Sequence, residues 1–240
     1  MSGKSSFGFI IWDIEKTAHG PVDLNTIISW IKEKRINAQT WIFIPKMGIW
    51  QRAAQVPELL MFFRGDLKHA DATPAIGASS IESVQGIDPR GLRRLKILAG
   101  MTDEQLERFL EFVEVMKVPN WATIVKQGDR GDAMYLVVEG ELSVRMKSSG
   151  AETVLAKLSM GDFFGDISLF DHGPRSADVI ADTSSILLKI SAASFAELGR
   201  TAPDLATPFL MAIGRTLTAR IRAGNKHHAE AVQFARLAAQ

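Results

Sequence analysis

The 240-residue sequence contains no cysteine. That excludes disulfide frameworks, thiolate metal sites and cysteine nucleophiles, and it fits a reducing compartment. Long apolar runs are missing as well. The longest stretches free of Asp, Glu, Lys and Arg are ten residues, as at 36–45, whereas a membrane-spanning helix needs about 20. No membrane span is expected. The apolar start at residues 7–12 is too short for a secretory signal core and runs into Asp13. A cytoplasmic location is the resulting expectation. An excess of one charge is also absent: 28 Lys and Arg face 27 Asp and Glu, so no broad basic surface is offered to nucleic acid. Tyrosine occurs once, at Tyr135. Tryptophan is unevenly spread, with Trp12, Trp30, Trp41 and Trp50 in the first quarter and only Trp121 beyond. With 46% apolar residues over this length, two modest domains of different build are expected.

Residues 1–64 read as one small unit. Residues 7–14 are rich in β-branched and aromatic side chains, a strand signal. His19-Gly20-Pro21 marks a turn. Asp23 then caps a helix in which Leu24, Ile27, Ile28 and Ile31 recur at helical spacing. A second strand follows at 40–44, a turn at 45–48, and a short apolar helical run at 58–63. Residues 65–91 change character. Ala, Ser, Gly, Thr, Asp and Pro dominate from Asp71 to Pro89 without any period, which reads as a flexible linker. Residues 92–240 form the second domain. Thr102-Asp103-Glu104-Gln105 spells a capping box, and Leu106, Phe109, Leu110 and Val113 supply the apolar stripe behind it. Short strands follow at 123–126, 134–138, 142–146, 154–158 and 185–190. Gly128, Gly131, Gly140, Gly150 and Gly161 punctuate this stretch, which suggests a small antiparallel roll or barrel. Helix returns at 194–199 and again from about residue 203 onward. The expected fold class is α+β.

The segment 161–179 carries the chemistry. Gly165 permits a tight backbone approach, and a short helical turn beginning near Asp166 would present unpaired N–H groups to an anion. Arg175 stands ten residues on, behind Pro174, and a guanidinium clamps phosphate with two parallel hydrogen bonds. Ser176 adds a hydroxyl, and Asp166 a carboxylate suited to a sugar hydroxyl. Together they describe a metal-free nucleotide phosphate site.

The segment resembles the phosphate-binding cassette of cyclic nucleotide-binding domains, through Phe164-Gly165-Asp166-Ile167-Ser168-Leu169 and Pro174-Arg175-Ser176-Ala177-Asp178-Val179. The glycine-punctuated stretch from Val125 to Gly140 is similar to that family's second and third strands. The resemblance covers residues 92–225 and implies a β-roll with flanking helices. It implies that Arg175 takes the cyclic phosphate, with Gly165 and Ile167 offering backbone N–H groups and Ala177 within the site. Asp166 would take the ribose 2′-OH. Ser176 would contact either the phosphate or the amino group of a guanine. Arg222 and Asn225 are the candidates for a base contact. Two positions depart from the pattern. Asp166 replaces the usual Glu and is one methylene shorter. Asp178 replaces a neutral residue and points either toward the site or away from it.

Residues 9–59 resemble the GYF-like family, through Trp12, Gly20-Pro21-Val22, Ile27-Ile28, Arg35-Ile36, Thr40, Met47-Gly48-Ile49-Trp50 and Ala53. That resemblance implies an aromatic surface for proline-rich peptides, with Trp12, Trp41 and Trp50 as candidates, against the alternative that these tryptophans build the core. No catalytic constellation, metal cluster or nucleotide-hydrolase loop stands out, so no enzyme and no cofactor are expected beyond cyclic AMP or cyclic GMP as regulatory ligand. Fifteen residues follow Asn225, too few for a helix-turn-helix reader of about 50, so no DNA-binding domain is expected. The stripe Phe209, Leu210, Ile213, Leu217, Ile221 suggests a helix that makes a homodimer. The expected function is a signalling protein that couples cyclic nucleotide binding to protein–protein interaction, cyclic AMP slightly ahead. The alternative is a ligand-free dimeric scaffold.

Overall fold

A computed structural model describes residues 8–13, 17–63, 89–148 and 151–238. The expected linker at 65–91 falls almost wholly outside the described residues. The chain forms two compact units, one gathering residues 1–85 and 113–192, the other residues 86–112 and 193–240. This partition differs from the boundaries at 64 and 92 read from composition, because the helical turns and helix described from residue 89 to 112 cluster with the C-terminal helices.

In the first unit, β1 (Phe9–Trp12), β2 (Ala18–Val22), β3 (Trp41–Ile44) and β4 (Ile49–Arg52) make a sheet of order β2-β1-β3-β4. The helix α1 (Leu24–Lys32) packs with it. Asp23 caps α1 by accepting from the Thr26 N–H, which satisfies one of the helix's orphan donors. Ile11, Ile27, Ile42, Val56 and Leu59 are fully buried and form this module's core. The expected turn at His19-Gly20-Pro21 lies within β2, and Gly20–Pro21 is a cis peptide bond.

The same unit holds a roll of two four-stranded sheets. One contains β5 (Glu114–Val118), β7 (Ala133–Glu139), β10 (Phe163–Phe164) and β12 (Ser185–Ser191), in the order β10-β7-β12-β5. The other contains β6 (Thr123–Val125), β8 (Leu142–Ser148), β9 (Ala151–Leu158) and β11 (Asp178–Ala181), in the order β6-β11-β8-β9. The described pairings are antiparallel. Strand β7 lies between β10 and β12, so Ala133 to Val137 are all buried and its sequence runs apolar rather than alternating. Val137, Leu142, Val179, Ala181 and Leu187 fill the space between the sheets. A short helix, α3 (Asp166–Asp171), interrupts the strands.

The second unit contains α2 (Asp103–Phe109), α4 (Ala192–Thr201, whose first residue lies in the first unit) and α5 (Pro203–Ala238). The capping box forms as expected. The Gln105 N–H donates to Thr102 Oγ1 at 3.2 Å, and the Thr102 N–H to Gln105 Oε1 at 3.0 Å. Pro208 lies inside α5 and has no N–H for the carbonyl four residues back, that of Asp204. That carbonyl instead accepts from Gln105 Nε2 at 3.1 Å, and Arg108 pairs with the Asp204 carboxylate at 2.8 Å. Phe109 and Phe209 are buried against each other, ring centroids 5.1 Å apart. The apolar stripe expected along α5 is buried only in part: Ile213 is covered, while Leu210 and Ile221 are exposed.

Candidate functional site

The site is organised by a change of direction after β10. Gly165 adopts φ +78° as the N-cap of α3. A Cβ there would stand 2.7 Å from Arg175 Nη1 and 2.8 Å from the Ala133 carbonyl oxygen. Both the left-handed backbone and the close approach therefore require glycine. The chain then forms α3 and turns at His172, also left-handed at φ 55°. Residues 171–174, from the last residue of α3 onward, form an arm that returns Arg175 to Gly165.

Arg175 is fixed from several directions. Its N–H donates to the Asp129 carbonyl at 2.8 Å, and its carbonyl accepts from the Gly128 N–H at 2.8 Å. The Gly131 N–H donates to the Gly173 carbonyl at 3.3 Å, and Pro174 bridges Arg130. The guanidinium donates through Nη1 to the Gly165 carbonyl at 3.2 Å. It lies 5.9 Å from the ring of Tyr135, which stacks on Phe164. The residue is only 5% exposed. Burial lowers its pKa, and Tyr135, Asp132, Asp166 and Asp129 oppose that fall. Its ion pair with Asp132 is long, at 3.8 Å, and the Asp132 side chain is 75% exposed. A preorganised, desolvated cation with so loose a counterion suits an anionic ligand.

The other expected residues separate by exposure. Asp166 and Ala177 are buried, whereas Ile167 and Ser176 are exposed. Arg222 and Asn225 are exposed on α5, in the second unit. Asp178 is turned into the roll. It is 6% exposed, accepts from the buried Gln127 N–H at 2.7 Å, and has Lys147 Nζ at 3.5 Å. The extra negative charge is thus spent on a structural hydrogen bond.

Of the three tryptophans expected on an open aromatic surface, Trp41 departs from that expectation. It is 5% exposed, on an inner strand, with the Arg52 guanidinium 4.0 Å above its ring. Trp12 and Trp50 are half-buried and meet edge to face, 6.4 Å apart. Sequence reading did not single out Asp129 or Gly131 as supports of Arg175. The stretch that holds them was recognised only by its glycines. Among the described residues no helix is long and apolar enough to cross a membrane, and no His, Asp and Glu group is arranged for a metal ion.

The left-handed glycine, the returning arm and the buried arginine all lie on the β-roll. Residues 115–202 match the family model of that domain, and residues 12–59 match the model of GYF domain 2. Both resemblances read from the sequence therefore stand. The chain is 37% identical over 106 residues to the cAMP-activated global transcriptional regulator CRP of Salmonella typhimurium, covering 43% of this chain and 50% of the relative. It is 38% identical over 69 residues to the cAMP-dependent protein kinase regulatory subunit of Mycosarcoma maydis, covering 29% of this chain and 13% of the relative. Among solved structures, Thermus thermophilus Catabolite Activator Protein aligns with a TM-score of 0.50 and 28% identity, over 55% of this chain and 61% of that one. The chain thus spans about half the length of the curated transcriptional regulators it matches.

These relatives correct the expected partners. The sequence reading named a cyclic nucleotide, a protein met through a proline-rich peptide and a second copy of the chain, and it excluded DNA. The curated relatives include transcriptional regulators, so a partner set that excludes DNA does not stand.

Proposed function

We propose that this chain is a non-enzymatic, cytoplasmic cyclic nucleotide-binding regulator that favours cyclic AMP over cyclic GMP and couples occupancy to an interaction with another protein. The observation that carries the reading is the buried Arg175, held 3.2 Å from the Gly165 carbonyl in a segment matching the cyclic nucleotide-binding family. Arg175 takes the cyclic phosphate, helped by the backbone N–H groups of Gly165 and Ile167. Asp166 takes the ribose 2′-OH. Ala177 belongs to the same site, and the exposed Ser176 hydroxyl meets the ligand. The preference for cyclic AMP is supported by the names of the relatives, which are cAMP-activated or cAMP-dependent. No cofactor is assigned beyond this regulatory ligand.

Isothermal titration of the full chain with cyclic AMP, cyclic GMP and 5′-AMP tests the reading. Cyclic AMP binds most tightly, cyclic GMP more weakly, and 5′-AMP weakest. Absence of heat with either cyclic nucleotide up to about millimolar concentration, roughly −4 kcal/mol of binding free energy, refutes it.

A further inference from the structure

The arm that returns Arg175 to the cassette is touched by the N-terminal module. Gly173 lies directly under Trp50 of β4: a Cβ on Gly173 would stand 2.4 Å from Trp50 Cδ1, 2.9 Å from Cγ and 3.0 Å from Nε1. The Asp171 carboxylate accepts from the Gly173 N–H at 2.9 Å. Burial raises the Asp171 pKa, and the Gly173 N–H above all, with Trp50 after it, opposes the rise. Trp50 is braced from behind by Trp12 and by Phe43, whose ring centroid is 5.5 Å away.

The module also lies near the other support of Arg175. A cavity of about 310 Å³ is lined by Trp12, Trp41 and Arg52 from the module and by residues 126–129 from the roll. Arg52 feels the charges of Arg130 and Asp129 across it. Asp129 is the residue whose carbonyl holds the Arg175 N–H. The module therefore bears on the arm at 171–174 and shares a cavity with residues 126–129, among which Asp129 holds the Arg175 N–H.

We propose that Trp50 is a positioning residue for the nucleotide site: seated on Gly173, it fixes the arm that carries Arg175, and nucleotide affinity depends on that seat. The inference rests on the nucleotide reading above. Ordering the arm before the ligand arrives removes an entropic cost from binding. Linkage makes the effect reciprocal, so nucleotide in turn tightens the module's hold on the arm.

The test is calorimetric titration of cyclic AMP into the full chain and its variants. Trp50→Ala removes the seat from the module side. Gly173→Ala wedges it open from the roll side and leaves every module residue in place. Each weakens cyclic AMP binding by at least about 5-fold, the lower end of measured couplings between sites. Trp50→Phe, which keeps a ring over Gly173, retains more affinity than Trp50→Ala. In the Trp50→Ala background, Gly173→Ala adds no further loss, since its methyl group then meets no indole. Saturating cyclic AMP slows amide hydrogen exchange at residues 49–52 in the wild type and not in Gly173→Ala. Affinities of both single variants within about twofold of wild type overturn the inference. So does a fully additive double variant, which would place the Gly173 effect in the arm alone. Wild type that binds no cyclic nucleotide refutes the function itself, an outcome distinct from wild-type binding with unaffected variants.

Discussion

Replacing Arg175 by alanine perturbs two quantities that the structure separates, stability without nucleotide and stabilisation by it. Without nucleotide, the change removes one hydrogen bond to the Gly165 carbonyl, worth about 1 kcal/mol. It also removes a guanidinium that is 5% exposed and whose charged form burial disfavours. The partner left behind, Asp132, is 75% exposed and simply rehydrates. These effects oppose one another, so the net change is within about 1 kcal/mol, or roughly 2–4 °C in a chain of this size. With nucleotide, the wild type held at 100 times its dissociation constant gains about 2.7 kcal/mol, which is roughly 5–11 °C. Truncating one member of a buried charge pair costs about 2–5 kcal/mol, a loss of at least about 30-fold in affinity. At the same nucleotide concentration the variant then gains at most about 0.9 kcal/mol, or about 2–4 °C. Thermal unfolding of the full chain with and without cyclic AMP reads both numbers. A variant that keeps the whole ligand-induced shift shows that the phosphate is held elsewhere. A variant that collapses without ligand shows that Arg175 is a structural cation, and the reasoning fails in that case too.

Two further predictions concern the roll that carries the site. Asp178→Ala leaves the Gln127 N–H buried without its acceptor, which costs about 1–3 kcal/mol in a urea titration, and Asp178→Asn restores most of it. The Asp182 carboxylate accepts from Lys157 Nζ and Ser143 Oγ, each at 2.9 Å, and Lys157 above all holds its pKa below the ordinary value. Folding therefore favours the ionised form, so its contribution is complete above the unfolded pKa near 3.9 and is lost as pH falls through the lower folded value. Asp182→Asn makes stability fall less steeply below about pH 4, as urea midpoints measured from pH 6 downward will show.

What the sequence revealed, and what it hid, divides along the range of the interactions involved. The caps of α1 and α2 were legible because Asp23 with Thr26, and Thr102 with Gln105, lie within one turn of each other. Strand β7 was legible as an unbroken apolar run. Strand β5 was hidden by Glu114 and Lys117 and by the helical stripe just before it, and its pairing with β12 spans some seventy residues of chain. Strand β11 opens on a buried aspartate whose acceptor role depends on Gln127, 51 residues away. No local pattern announces such a compensation, which is why the direction of Asp178 had to come from structure.

The candidate site obeys the same division. Gly165 and Arg175 stand ten residues apart in a motif that could be read directly. A motif names a guanidinium but does not make it effective, because an exposed arginine in water binds a phosphate weakly. What strengthens this one is burial and fixed orientation, and those come from Asp129, Tyr135 and the arm at 171–174. The arm in turn carries the weight of Trp50, from a module that composition had set apart as an independent unit. The tryptophan skew of the first quarter is therefore explained by two roles. Trp41 is buried within its own sheet, and Trp50, braced by Trp12, reaches the roll. An aromatic surface read as waiting for an outside peptide is in part already engaged by the chain itself, and the residue it engages is two positions from the arginine on which the site depends.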